Sequence, residues 1–214
     1  MEAIENKKKT FVSAKDESVR MFNNGLMDKI SRVHFMVPVY LYVPTVLYFF
    51  YRSIFVYSVS FLAIVGYTAL GIFLWTFTEY FLHRFLFHFE PKSEIGQRIH
   101  FITHGVHHDY PNDSKRLVMV PSISIPLAFI FYFIFVRIVG EAYVCPLFSG
   151  FVIGYLFYDL THYALHHANF KSKFWLDLKQ HHMYHHYREP DKGFGVSTKF
   201  WDHIFRTLFS KEKN

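Results

Sequence analysis

The sequence predicts an all-α integral membrane protein of about four transmembrane helices, paired as two hairpins, with a histidine-rich helical cap on the cytosolic side. Three observations support this prediction. Hydrophobic residues make up 51% of the 214 residues and charged residues only 19%, whereas a soluble domain carries roughly 25% charge. Four apolar stretches approach the roughly 20 residues that span a bilayer. Of the 15 histidines, 13 cluster just beyond two of these stretches.

The four apolar stretches define the predicted helices in order. They cover approximately residues 35–50, 54–77, 118–136 and 143–158. Turns near Arg52 and Gly140 separate the members of each pair. A soluble all-α core is the alternative, and the uncharged length of the second stretch disfavours it. The apolar composition also excludes a disordered and a collagen-like chain. A disulfide-stapled chain is excluded because Cys145 is the single cysteine.

The positive charges predict the orientation in the membrane, because Lys and Arg concentrate in short cytosolic loops. Of the 23 Lys and Arg residues, 21 lie in residues 1–34, 84–116 and 168–214, and the others are Arg52 and Arg137 near the turns. Both termini and the central loop are therefore predicted to be cytosolic. The net charge of +6 fits attraction to an anionic membrane surface better than nucleic-acid binding, because the cations form no stripe.

The spacing of the histidines indicates metal binding. Residues at i, i+3 and i+4 share one face of a helix. Three segments have this spacing: His104, His107 and His108; His162 and His166; and His182, His185 and His186. His83 and His88 are about 140° apart on an ideal helix, so they need a distorted turn, a helix end or two different metals. Neutral imidazole is the commonest protein ligand for metals, and it suits iron, zinc, copper and nickel.

The number of histidines favours two metals. A tetrahedral zinc site takes four ligands. The eight histidines at helical spacing, together with His83 and His88, make ten candidate ligands, which suits two metals with about five ligands each. His100, His167 and His181 lie outside the repeats and are uncertain additional ligands. His34 and His203 are interpreted as ordinary polar side chains at the membrane interface.

The histidines and the residues around them resemble the integral-membrane fatty acid hydroxylase superfamily. The skeleton is His83-x4-His88, His104-x2-His107-His108, His162-x3-His166 and His182-x2-His185-His186. The flanking residues at 77–88, 158–167 and 191–205 are similar to the fatty acid 2-hydroxylase branch, which acts on sphingolipid acyl chains. The similarity covers about residues 70–210, and related sterol desaturases share the skeleton but fewer of these flanks.

The resemblance implies that these ten histidines hold a dimetal centre, with two iron ions in the active form and zinc as an alternative bound metal. It also implies that the chain hydroxylates the acyl carbon next to the carbonyl, using O2 and two electrons from cytochrome b5. The hydroxylase membrane domain is predicted at residues 34–210, between a cytosolic segment at 1–33 and a charged tail at 211–214. Residues 1–33 contain no histidine that could bind haem, so the electron donor is predicted to be a separate protein.

Several side chains beside the histidines are candidates for catalytic or supporting roles. Carboxylates close to metal-binding histidines often fix the imidazole tautomer, although capping and solvation are alternative roles. Aromatic side chains near the cytosolic interface could line an acyl entrance or belong to the interfacial aromatic belt. The carboxylates are Glu79, Asp159 and Asp109, and the aromatic residues are Trp75, Tyr155 and Tyr158.

Two alternatives to a ceramide-directed 2-hydroxylase stay open. A sterol or carotenoid oxygenase, or a desaturase, could use the same metal site. A metal transporter or sensor is disfavoured, because the apolar stretches carry no ionisable residues in their middles and a transport path would need them. The predicted membrane is the endoplasmic reticulum in a eukaryote or the inner membrane in a bacterium.

Overall fold

The computed structural model describes residues 11–209, and the regular secondary structure of these residues is entirely helical. Both the first ten residues and the predicted charged tail at 211–214 lie outside this range. The helices are α1 (Gly25–Ile30), α2 (Val37–Tyr51), α3 (Phe61–Phe81), α4 (Glu94–His100), α5 (Val106–Asp109), α6 (Pro121–His167), α7 (Lys173–Tyr187) and α8 (Phe200–Ile204). Three π-helical segments extend α2, α3 and α4: Arg52–Val56, Leu82–Phe87 and Phe101–Gly105.

Three helices of the described chain are long and apolar enough to cross a membrane. They cover Val37–Val56, Phe61–Phe87 and Pro121–His167. Large apolar side chains point outward from them; Phe61 and Leu62, for example, are 81% and 82% exposed. Exposed apolar surface on this scale suits contact with lipid tails rather than water, as expected for a membrane protein.

The third long helix reverses direction at Gly140. This glycine has φ 76° and ψ 172°, a left-handed conformation that glycine adopts at little cost. The two halves of α6, residues 121–139 and 141–167, then pack against each other, with the ring of Phe151 4.7 Å from Phe131 and 5.1 Å from Phe135. The second half runs to His167, nine residues past the predicted end of the fourth stretch at 158.

The first reversal lies later in the chain than Arg52. The π-helical segment carries α2 to Val56, and α3 begins at Phe61. Ser58 has a left-handed φ of 49°, and the Ser60 hydroxyl accepts a hydrogen bond from the N–H of Ala63, which caps α3. The predicted start of the second stretch at Ile54 was therefore wrong, because residues 54–56 belong to the end of the preceding helix.

Helix α3 runs parallel to the second half of α6, in close contact. A Cβ atom on Gly71 would lie 2.1 Å from the carbonyl oxygen of Leu147, and one on Gly150 would lie 2.0 Å from that of Thr68. Glycines allow two helix backbones to approach this closely. Since the helices are parallel, their C-terminal ends, which carry the histidines, lie at the same end of the bundle.

Candidate metal centre

His83 and His88 share one face because the helix between them is widened. The N–H of His88 donates to the carbonyl of His83 at 3.1 Å, the i to i+5 hydrogen bond of a π-helix. The two rings lie 5.0 Å apart. The distorted turn that the five-residue spacing requires is present, as the segment Leu82–Phe87.

The ten patterned histidines come together in two groups of five. Within each group, one potential ligand atom from every residue lies within 4.8 Å of the others. The first histidine group is His83, His88, His104, His108 and His185, and the second is His107, His162, His166, His182 and His186. Neighbours in sequence are thus divided between the groups, since α5 and α7 each send histidines to both.

The spacing of the nitrogens fits a cation at the centre of the first histidine group. The Nε2 atom of His104 lies 3.1, 3.2 and 3.0 Å from the Nε2 atoms of His83, His88 and His108. A neutral imidazole has one N–H, so it cannot donate to or accept from three neighbours at once. Ligands at right angles around a metal, each about 2.1 Å from it, would be separated by about 3.0 Å.

The second histidine group has the same spacing. The Nε2 atom of His182 lies 2.9 Å from that of His166 and 3.1 Å from that of His186. The Nε2 atoms of His107 and His162 are 2.9 Å apart. In both groups, then, the facing nitrogens are the ring atoms that a metal would bind.

Six histidines of the two groups that lie outside the membrane-spanning helices are held neutral. Burial, followed by repulsion from other imidazoles, lowers the pKa of His108 to about 3. The same two causes hold the pKa well below its ordinary value in His104, His107, His182, His185 and His186. Neutral imidazole is the form that binds a metal, so these histidines are ready for ligation at physiological pH.

Main-chain carbonyl groups orient three of the imidazoles. Since a carbonyl can only accept, each Nδ1 carries the hydrogen and leaves the lone pair of Nε2 facing its group. The pairs are His83 with Phe194 (2.6 Å), His185 with Lys192 (2.7 Å) and His162 with Leu117 (2.9 Å). These partners could not be predicted from the sequence, because a main-chain carbonyl has no side-chain signature.

The two histidine groups lie in a part of the chain that matches a protein-family model. The fatty acid hydroxylase model matches residues 68–207, which include all ten histidines. The chain belongs to the fatty acid hydroxylase family.

Similar proteins in the family extend over most of this chain. It is 40% identical to the dihydroceramide fatty acyl 2-hydroxylase FAH1 of Arabidopsis thaliana, covering 91% of this chain and 82% of that one. It is 36% identical to the fatty acid 2-hydroxylase of Rattus norvegicus, covering 91% of this chain but only 58% of the rat protein. The solved structure of full-length scs7p, in which only the hydroxylase domain is visible, superposes with a TM-score of 0.84 at 34% identity, over 89% of this chain and 72% of that one.

Two of the predicted carboxylates in this fatty acid hydroxylase hold loops that lead to the histidines. Buried Glu79 accepts hydrogen bonds from the N–H groups of Val196 and Ser197 at 2.7 and 2.8 Å. Buried Asp159 accepts from the N–H of Met119 at 3.3 Å. Each of these loops also supplies a carbonyl to an imidazole, from residues 194 and 117. In Asp109, the main-chain carbonyl accepts from the N–H of Val12 at 2.8 Å.

The three uncertain histidines lie outside both groups. Buried His181 is 3.2 Å from Asp202 through its Nε2 atom. His167 stacks on Tyr163, with ring centroids 4.8 Å apart. His100 is likewise a member of neither group. Consecutive residues point in different directions from a helix, so His182 belongs to the second histidine group while its neighbour His181 does not.

The predicted aromatic residues pack close to the second histidine group. Tyr158 stacks on His162, with ring centroids 5.9 Å apart. Trp75 and Tyr155 are buried, and their rings contact each other at 5.2 Å. They line a small cavity next to Tyr42, whose hydroxyl donates a hydrogen bond to the hydroxyl of Ser124 at 2.9 Å.

An apolar pocket of about 250 Å³ reaches the second histidine group. Its wall includes His107 and the buried Arg116, and α1 forms part of it. Residues at the start of α6 also line it, so it lies at the predicted membrane interface. Apolar residues of the wall include Met21, Met27, Ile102, Val106, Met119 and Ile123.

Proposed function

We propose that this chain is a membrane-bound dimetal oxygenase that hydroxylates the 2-position of fatty acyl chains, with ceramide-type sphingolipids as substrates. The observation that carries the proposal is the division of ten imidazoles into two groups of five, each with nitrogen spacing that suits one metal. The substrate class comes from the relatives, which are named as dihydroceramide and ceramide fatty acyl hydroxylases.

Each histidine group would hold one metal, which we propose to be iron in the active enzyme, with zinc as an alternative occupant of the same imidazoles. The two irons would supply the activation of O2 for attack on an unactivated C–H bond, which protein side chains cannot perform. The chain contributes ten neutral nitrogens, three of them aimed by carbonyls. Two electrons would come from a separate cytochrome b5-type protein.

For the membrane arrangement, we propose four crossings, in which the halves of α6 on either side of Gly140 cross separately. The antiparallel contacts within α6 support this arrangement. The parallel packing of α3 on the second half of α6 then brings His83 and His162 to one side of the bilayer. The cation count supports a cytosolic location for that side and for both termini. We propose the endoplasmic reticulum or a bacterial inner membrane as the membrane.

Lipid mass spectrometry tests the reaction and the substrate together. The host would make sphingolipids, contain cytochrome b5 and lack its own 2-hydroxylase, and it would express either the intact chain or His182→Ala. We expect one added oxygen at the acyl 2-position only with the intact chain. Unchanged acyl chains despite present, metallated protein would reject this substrate, and sterols and carotenoids in the same extracts would then be examined for added oxygen or unsaturation.

We further propose that the acyl chain reaches the second histidine group through the pocket at His107. Ile123→Trp would fill the mouth of this pocket, since Ile123 is 41% exposed and forms part of its wall. We expect turnover to fall by at least about tenfold, because small displacements of a substrate are costly, while metal content stays normal. Ile130→Trp is the matched control, because it lies on the same half of α6, is 55% exposed and is outside the pocket.

Product formation and bound metal would be measured for both tryptophan variants in the same membranes. Equal activity of Ile123→Trp and Ile130→Trp would contradict this route. Loss of metal from Ile123→Trp would show damage to the site rather than obstruction of the substrate.

A further inference from the structure

The loop at residues 192–197 is held along its whole length. Five consecutive N–H groups, from residue 193 to residue 197, have acceptors in the described structure. Thr207 accepts the first through its carbonyl, Asp202 the next two and Glu79 the last two. Asp202 and Glu79 are 0% and 3% exposed. A loop between two buried carboxylates has little freedom to move its carbonyls.

Asp202 is connected to His83 through a single peptide group. The carbonyl of Phe194 accepts from Nδ1 of His83 at 2.6 Å. The N–H of the same peptide, on Gly195, donates to Asp202 at 2.8 Å. Hydrogen bonds linked in this way polarise one another, so the carboxylate strengthens the carbonyl as an acceptor. A Cβ atom on Gly195 would lie 2.0 Å from the carbonyl oxygen of Thr198 and 2.8 Å from Asp202, and glycine is therefore required here.

The loop serves only the first histidine group among the described contacts. Its two bonded carbonyls, at residues 192 and 194, hold His185 and His83, both in that group. The second histidine group is oriented differently, with the carbonyl of Leu117 on His162. Three members of the second group have a buried Nδ1 atom with no hydrogen-bond partner within residues 11–209: His166, His182 and His186.

We propose that Asp202, together with Glu79, is a positioning residue that raises the affinity of the first histidine group for its metal and leaves the second group unaffected. Neither carboxylate binds the metal; both act through the loop, which aims His83 and His185. The inference rests on the proposed dimetal site and adds a difference between its two halves. Asp202 is therefore a functional residue that the sequence analysis did not select.

Metal titration of the purified full-length chain tests this inference without relying on activity. Zn²⁺ alone would be added to metal-free protein against chelators of graded strength, and Co²⁺ would be used in parallel, because its visible spectrum reports the ligands. For Asp202→Asn we expect one of the two equivalents of metal to bind about 10–100-fold more weakly. This is the effect typical of losing a residue that hydrogen-bonds to and orients a metal ligand. The other equivalent should match wild type. Glu79→Gln should weaken the same equivalent.

Asp177→Asn is the matched control, since Asp177 is an exposed carboxylate of α7 paired with Lys199. Double variants identify the affected group. In a His88→Ala background, where the first group has lost a ligand, adding Asp202→Asn should change metal affinity little further. In a His166→Ala background, where the second group has lost a ligand, adding Asp202→Asn should weaken binding of the remaining metal ion.

The outcomes separate this inference from the proposed function. Parallel weakening of both equivalents, or wild-type binding of both in Asp202→Asn and Glu79→Gln, would overturn the positioning role. If Asp202→Asn does not fold, Glu79→Gln and its double variants decide by the same criteria. A wild-type chain that binds fewer than two metals would overturn the dimetal proposal itself, and the positioning role with it.

Discussion

Replacing His166 by alanine is expected to abolish 2-hydroxylated product and to remove about one metal per chain. His166 belongs to the second histidine group, and its Nε2 atom lies 2.9 Å from that of His182. Loss of a direct ligand should cost more than the roughly 10–100-fold that a partner behind the ligands costs. His167→Ala is the matched control, because His167 is the next residue on α6 and lies outside both groups.

Product would be measured by lipid mass spectrometry and metal by elemental analysis of the same preparations. We expect His167→Ala to retain both, since its ring contact is with Tyr163. An active, fully metallated His166→Ala would remove this residue from the ligand set. Equal loss in the two variants would show that the end of α6, rather than one nitrogen, is what matters.

The histidines of the metal centre could be predicted from the sequence, because helical spacing alone brings most of them onto common helix faces. Spacing also showed that His83 and His88 could share a face only through a distorted helix, which the π-helical segment provides. It could not divide the ten histidines, since His107 and His108 are adjacent and yet belong to different groups. That division depends on how α3, α5, α6 and α7 meet, which is tertiary information.

The supporting contacts were harder to predict. Glu79 was selected because it precedes His83 by one helical turn, yet its carboxylate binds the main chain of Val196 and Ser197. Asp202 was not selected, since the nearest member of either group in the sequence, His186, lies 16 residues before it. Partners such as the carbonyl of Phe194 depend on the backbone path of a loop, and side-chain patterns do not encode that path directly.

The helix boundaries show a similar limit. Hydropathy identified the apolar stretches, but the loop at residues 57–60 carries no charge and lies inside the predicted stretch 54–77. The first reversal therefore depends on local conformation, with Ser58 left-handed and Ser60 as a cap. Gly140 was easier to place because it stands between two long apolar runs, and its positive φ explains why a glycine lies there.

Replacing Gly71 by alanine is expected to destabilise the protein by about 1–3 kcal/mol or more, as is typical of overpacked cores. The added Cβ would lie 2.1 Å from the carbonyl oxygen of Leu147 and 2.6 Å from the backbone nitrogen of Phe151. Backbone atoms cannot rotate away, so α3 and α6 must separate. Because these helices carry His83 and His162 at their shared end, we also expect weaker metal binding.

Gly66→Ala is the matched control on the same helix, because a Cβ there would meet nothing within 4 Å. Alanine is favoured over glycine inside a helix by about 0.5–1 kcal/mol, so this variant should be unchanged or slightly more stable. Thermal unfolding in detergent, with metal content measured beforehand, compares the two. Equal melting temperatures would mean that the packing of α3 on α6 does not depend on the close approach at Gly71. Another contact would then have to align the helix ends that carry the histidines.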